Sequence, residues 1–69
     1  MNAVVNSRSA ALFDANFKLV RYLHKGDVVK RTDNKPIYLG LWADKQYAEV
    51  EDHKGHIGYV LNELLEDVE

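Results

Sequence analysis

The side chains best equipped for chemistry cluster in one short stretch, Asp52-His53-Lys54-Gly55-His56. Two histidines three positions apart, with carboxylates nearby, have a spacing that can offer two ligands to a divalent metal. Further soft ligands would have to come from elsewhere, and the chain has no cysteine. Histidines at polar turns are commonly just solvated, which is the plainer reading of both, and "EDHK" reads as a solvated turn. His24 is a lone turn residue, structural or solvated. Ser7 and Ser9 flank Arg8, but no histidine stands in a fixed relation to them, so this stretch reads as a loop and not as part of a nucleophilic triad. Gly26, Gly40, Gly55 and Gly58 fall at strand ends or within strands instead of clustering ahead of a helix, which argues against a phosphate cradle. No catalytic residue, metal or cofactor is expected, and the chain is read as non-enzymatic.

What remains is an aromatic surface. Tyr47 and Tyr59 are expected on adjacent hairpin strands, facing outward, with Tyr38 or Trp42 beside them; rigid amphipathic rings of this kind anchor contacts well. Glu49, Glu51 and Asp52 would border that surface and favour a partner carrying lysine or arginine. Trp42 and Tyr22 have a plainer reading as core filler, because a chain of this size needs nearly every large apolar group inside.

The elements that must position these residues are short. Ala3, Val4 and Val5 read as a strand ahead of the polar "NSRS". The next stretch has two readings. Ser9 caps a helix that Gly26 ends, with Leu12, Phe13, Phe17, Val20 and Leu23 on one stripe, or a strand begins at Phe17 and alternates to His24. Local propensity favours helix over residues 10 to 16. "VVKR" is a strand after the turn "HKGD", and "TDNKP" is a break. "IYLGLW" is a further apolar strand in which Gly40 suggests a bulge. The clearest element is the hairpin "YAEVEDHKGHIGYV", whose glycine takes the positive φ that such a turn demands. Its alternation puts Ala48 and Val50 on one face and Tyr47, Glu49 and Glu51 on the other, with Gly58 and Val60 opposed to Ile57 and Tyr59. The expectation is a mainly all-β fold, a small barrel of five to six short antiparallel strands with one helical turn near the C-terminus.

Size agrees with that. At 69 residues and 7.9 kDa the chain is a single domain, residues 1–69, near the limit at which one core offsets conformational entropy. No disulfide framework can assist it. There is no basic leader followed by an apolar region and no apolar run of spanning length, so a cytoplasmic protein without membrane contact is expected. Net charge is −2, but residues 1–36 carry seven basic against three acidic residues, net +4, and the remainder two against eight, net −6. The overall acidity disfavours nucleic-acid binding, which rests on a concentrated basic face.

Three stretches carry a family resemblance. "VVNSRS", "FKLVRYLHKGDVV" and "YAEVEDHKGHIGYVLNELL", in that order, resemble the opening strand, the lysine-glycine turn between strands, and the closing hairpin with its leucine-bearing turn in bacterial SH3-like (SH3b) domains. The likeness covers about four-fifths of the chain. It implies a compact barrel in which Gly58 is small because its strand packs closely, Tyr59 points to the ligand face, and "LNELL" covers the barrel end before "EDVE" pairs back. Tyrosines stand where that family has hairpin tryptophans, and "DNKPIYLGLWADK" is longer than the usual connection, so no ligand specificity is implied. The function expected is a stand-alone module binding another protein through Tyr47, Tyr59 and nearby acids, resembling in size the small adaptors or inhibitors that bacteria and their phages encode. Alternatives are a peptidoglycan-targeting module, a Tudor- or KOW-like nucleic-acid binder using Arg8, Lys18, Arg21, Lys25, Lys30 and Arg31, and self-association through the tyrosines or an open edge strand.

Overall fold

In the computed structural model, which describes residues 1–38 and 44–68, the chain forms seven strands and no α-helix among the described residues. They are β1 (Asn2–Val5), β2 (Ser9–Phe13), β3 (Leu19–His24), β4 (Val28–Arg31), β5 (Tyr47–Glu51), β6 (Ile57–Leu61) and β7 (Leu65–Val68), with a 3-10 turn at Asn62–Leu64 before β7. All pair antiparallel in one sheet of order β3-β2-β6-β5-β4-β1-β7. Among the described residues no helix is long and apolar enough to cross a membrane.

Residues 10–16 are neither helix nor loop throughout. Ser9–Phe13 is a strand with Ala10 and Leu12 buried and Ala11 and Phe13 on the opposite face. Its alanines carry helix propensity, but pairing with β3 along its whole length overrides that weak local bias. The turn that follows is held by Asp14, whose Oδ1 accepts the backbone N–H groups of Asn16 (2.8 Å) and Lys18 (3.0 Å). A short side chain that binds the backbone ahead of it competes directly with helix formation. The same turn holds Phe17 at φ 65°, a left-handed conformation uncommon for a bulky residue.

A barrel of five to six strands is not what forms. The sheet has seven strands and is open, with β3 and β7 at its two ends and unpaired with each other among the described residues. Ser9–Phe13 adds a strand that the helix reading withheld. The expected strand over residues 37–42 contributes only an isolated bridge, Ile37 to Tyr47, among the described residues. Its Gly40 bulge lies outside the described residues, as does Trp42. The expected helical turn near the C-terminus is present as Asn62–Leu64.

Seven flat strands at about 4.8 Å spacing would span about 29 Å in one direction and have almost no thickness. The Cα extents are 28 × 22 × 21 Å, so the sheet is strongly curled. Its concave face encloses the core: Ala3, Val5, Ala10, Leu12, Leu23, Val29, Ala48, Val50 and Val60, with Leu64 and Leu65 packed against it from the C-terminal turn. β2 meets β6 at a single residue pair, Phe13 to Tyr59. Gly58 makes that close approach possible. A Cβ there would stand 2.7 Å from the Phe13 carbonyl oxygen and 2.8 Å from Leu12 Cδ1, so the strands approach more closely than any side chain permits.

Gly58→Ala is expected to destabilise the fold by roughly 2 to 3 kcal/mol, because the opposing atom is backbone and cannot swing aside. Urea unfolding of the variant checks this, and a loss below about 0.5 kcal/mol would show that the close approach can relax around a methyl group.

Candidate functional site

The outer, convex face of the sheet carries the residues picked out by chemistry. Register places Phe13, Tyr59 and Glu49 side by side across β2, β6 and β5, with Thr32 continuing the row beyond β4. Glu49 is the centre of this row. Its Oε1 accepts hydrogen bonds from Thr32 Oγ1 (2.8 Å) and Asn34 Nδ2 (2.7 Å), and its Oε2 accepts one from the Tyr59 hydroxyl (3.0 Å). Donors from Thr32, Asn34 and Tyr59, in that order, hold the Glu49 carboxyl below its ordinary range. The same hydrogen bond to Glu49, with some burial, raises the Tyr59 phenol. The network ties the Thr32–Asn34 loop to the sheet, a structural task.

Tyr47 does not face solvent. It lies on the expected side of β5, yet only 3% of its surface is exposed. Its backbone exchanges two hydrogen bonds with Ile37 (2.9 and 2.7 Å), and the Phe13 ring meets its ring edge-on, centroids 6.1 Å apart at 76°. Burial raises its phenol pKa. Alternation fixes the side of a strand that a residue takes, and neighbours decide whether that side is wet. Tyr59 is half-buried with its hydroxyl engaged, Glu51 is half-buried, and Tyr38 is exposed near Gln46. Of the expected contact residues, Tyr47 is covered and the Tyr59 hydroxyl is tied to Glu49; Trp42 lies outside the described residues.

Asp52 corrects a second expectation. It is buried, not solvated, and its side chain has no exposed surface. Oδ1 accepts the backbone N–H groups of Lys54 and His56, each at 2.9 Å, and Oδ2 accepts Arg21 Nε (3.2 Å) and Nη2 (3.0 Å). His56 Nδ1 lies 3.4 Å from Oδ2. Loss of water is the largest single influence and pushes this carboxyl up, but the donors from His56, Arg21 and Lys54 together outweigh it and bring the pKa from 3.8 down to about 2. In so small a domain no group lies far from water, so enclosure costs less than four donors return. The turn it organises holds Gly55 at φ 83°, and Gly26 takes φ 93° in the β3–β4 turn. His53 and His56 are both exposed, and no group of three or more metal-ligating side chains gathers among the described residues.

The open apolar surface lies elsewhere. On edge strand β3, Leu19, Val20 and Tyr22 are 48%, 41% and 54% exposed. Tyr22 is thus not core filler. It pairs with Ala11 on the outer face, while Leu23 alone of the strand is buried. The register shift at Leu12/Phe13 explains why two consecutive residues, Leu19 and Val20, are both displaced from the core. Exposed Ile57 of β6 lies on the same outer face as Tyr59. The run of apolar residues in "FKLVRYL" was a sequence signal for this patch, but it reads equally as a buried strand. No protein-family model matches the chain, and neither a curated protein nor a solved structure matches it.

Because the Asp52 pKa is depressed in the folded state, the stability it confers is complete above about pH 4 and is lost as the pH falls toward 2. Asp52→Asn should cost about 2 kcal/mol at neutral pH, the scale of hydrogen bonds to a charged group. The gap between wild type and variant in urea unfolding should narrow as the pH is lowered through that window. A gap independent of pH would mean that Asp52 does not act through its charge.

Proposed function

We propose that the chain is a non-enzymatic binding module of the SH3-like kind whose ligand is another polypeptide, engaged along edge strand β3 and the adjoining outer face. One observation carries this reading: three large apolar side chains, Leu19, Val20 and Tyr22, stand exposed together on a strand that has no neighbour on its outer side among the described residues. Scattered exposed apolar residues are ordinary, but a contiguous group on an open edge offers both backbone hydrogen-bonding groups and side-chain contact area. An extended segment of a partner would add an eighth strand, its backbone supplying affinity and Leu19, Val20 and Tyr22 supplying selectivity. Exposed Lys18 and Lys25 flank the edge, which favours an acidic segment. Tyr59 and Glu49 tie β5, β6 and the Thr32–Asn34 loop together on the same outer face, and the part expected of Tyr59, Glu49 and Glu51 as direct contacts passes to β3.

Val20→Glu combined with Tyr22→Glu should abolish capture of the partner from lysate while leaving the unfolding transition cooperative. Tyr59→Phe, which removes only the hydroxyl bonded to Glu49, should cost about 1 kcal/mol of stability and spare capture. Loss of capture in Tyr59→Phe with retention in the β3 variant would return the contact surface to the hairpin.

A further inference from the structure

Among the described residues Phe17 alone, glycines aside, has a positive φ, 65°. It sits in the turn between β2 and β3, where the Asp14 N–H donates to the Lys18 carbonyl (2.9 Å) and the Phe17 N–H donates to the Asp14 carbonyl (3.1 Å). This is a three-residue hairpin connection, a tight turn followed by a left-handed position that glycine usually fills. The other two positive-φ positions follow that preference with Gly26 and Gly55. A side chain in this conformation crowds the backbone carbonyl that follows it, which costs the fold stability. Burial does not offset the cost, because Phe17 lies outside the core and is 43% exposed. Its position continues the open apolar surface of β3. Leu19, the first residue of that strand, is 48% exposed and Val20 is 41% exposed, and Phe17 stands two residues before Leu19 at the same end of the edge.

Backbone strain of this kind gathers at binding sites and switch segments, where the strained residue has a task that an unstrained one would not perform. We infer that Phe17 is a specificity-determining contact, its ring receiving a large apolar side chain at one end of the extended segment that adds to β3. This rests on the reading of β3 as a strand-accepting edge and fixes which residue of the segment is selected. The backbone ladder of an added strand stops where β3 begins, at Leu19, so beyond that point only side chains can hold the segment. Phe17 is the large apolar side chain standing there. The occupant is a polypeptide and not an anionic surface, on two grounds. The outer side of β3 presents backbone N–H and C=O groups at strand spacing, which another extended chain matches along its length. Lys18 and Lys25 each stand close in sequence to an aspartate, Asp14 and Asp27, so this edge offers no concentrated basic face to lipid headgroups or nucleic acid.

Parallel selections from a displayed library of random linear peptides on wild type and on Phe17→Asn, with urea unfolding of both proteins, test this. Asparagine accepts the left-handed conformation, so Phe17→Asn should raise the folding equilibrium constant roughly fivefold. Peptides selected on wild type and then synthesised should bind Phe17→Asn at least about tenfold more weakly, the loss typical of an anchoring aromatic. They should share a large apolar residue at one end, and peptides selected on Phe17→Asn should lack it. Phe17→Tyr keeps both ring and strain and should match wild type in stability and binding. Lower stability of Phe17→Asn would show that the ring serves the fold and overturn the inference, as would unchanged peptide binding or the same end preference in both selections. If the peptides fail on Val20→Glu/Tyr22→Glu but bind Phe17→Asn as they bind wild type, the strand-accepting edge stands and Phe17 is not its contact. If no peptide is selected, or those selected ignore the β3 substitutions as well, both readings fail. Binding of wild type but not Phe17→Asn to vesicles of mixed neutral and anionic lipid, with no peptide selected, would assign the ring to a lipid surface and overturn the polypeptide.

Discussion

A single sheet has one face to bury and nothing to bury it against except itself. In this chain the solution rests on the close crossing of β2 over β6 at Phe13, Gly58 and Tyr59, where one residue pair joins two hairpins and a missing side chain lets the backbones meet. That crossing joins the hairpin that carries Leu12 and Leu23 to the hairpin that carries Val50 and Val60, all four in one core cluster, and Leu64 and Leu65 pack against the same cluster. Curling a sheet tightly enough to enclose a core normally requires a bulge, a glycine or both; here Gly58 lies on β6 at the crossing, and the bulge at Val20 lies on β3, the neighbour of β2.

A core of valines, alanines and two leucines is small, and polar ties complete it. Arg21 to Asp52 fastens the edge hairpin to the turn of the central hairpin, and Arg31 to Asp67 and Asn62 fastens β4 to the last strand. Glu49 performs the corresponding task on the convex face by gathering Thr32, Asn34 and Tyr59. Each tie joins residues distant in sequence, so each limits the freedom of a segment that hydrophobic contact alone would leave loose. The acids read as a border for a ligand surface are thus largely committed to holding the fold. Exposed apolar side chains occur on several elements, Val28, Tyr38 and Ile57 among them, but three stand on the one edge strand β3.

Several features were legible from residues alone because their causes are local. The β5–β6 hairpin follows from alternation about Gly55, and the close packing at Gly58 and the leucine-bearing turn followed from the family resemblance. Local reasoning stopped where a second element decided the outcome. Ser9–Phe13 has the composition of a helix and becomes a strand because β3 pairs along it. Tyr22 has the composition of core filler and is exposed because its strand lies at an edge with only Leu23 turned inward.

The sequence by itself determined the antiparallel β character, the placement of the glycine turns at Gly26 and Gly55, and the assignment of Ala48, Val50 and Val60 to the core face, since these depend on φ preference and a two-residue period. Only the tertiary structure decided that Tyr47 is covered, that Asp52 is an enclosed anchor for Arg21, and that Arg31 is brought onto Asp67 of the last strand. Exposure and pairing are properties of which strands become neighbours. Neighbours here are set by strand order and by the close approach at Gly58, which no local period along the chain encodes.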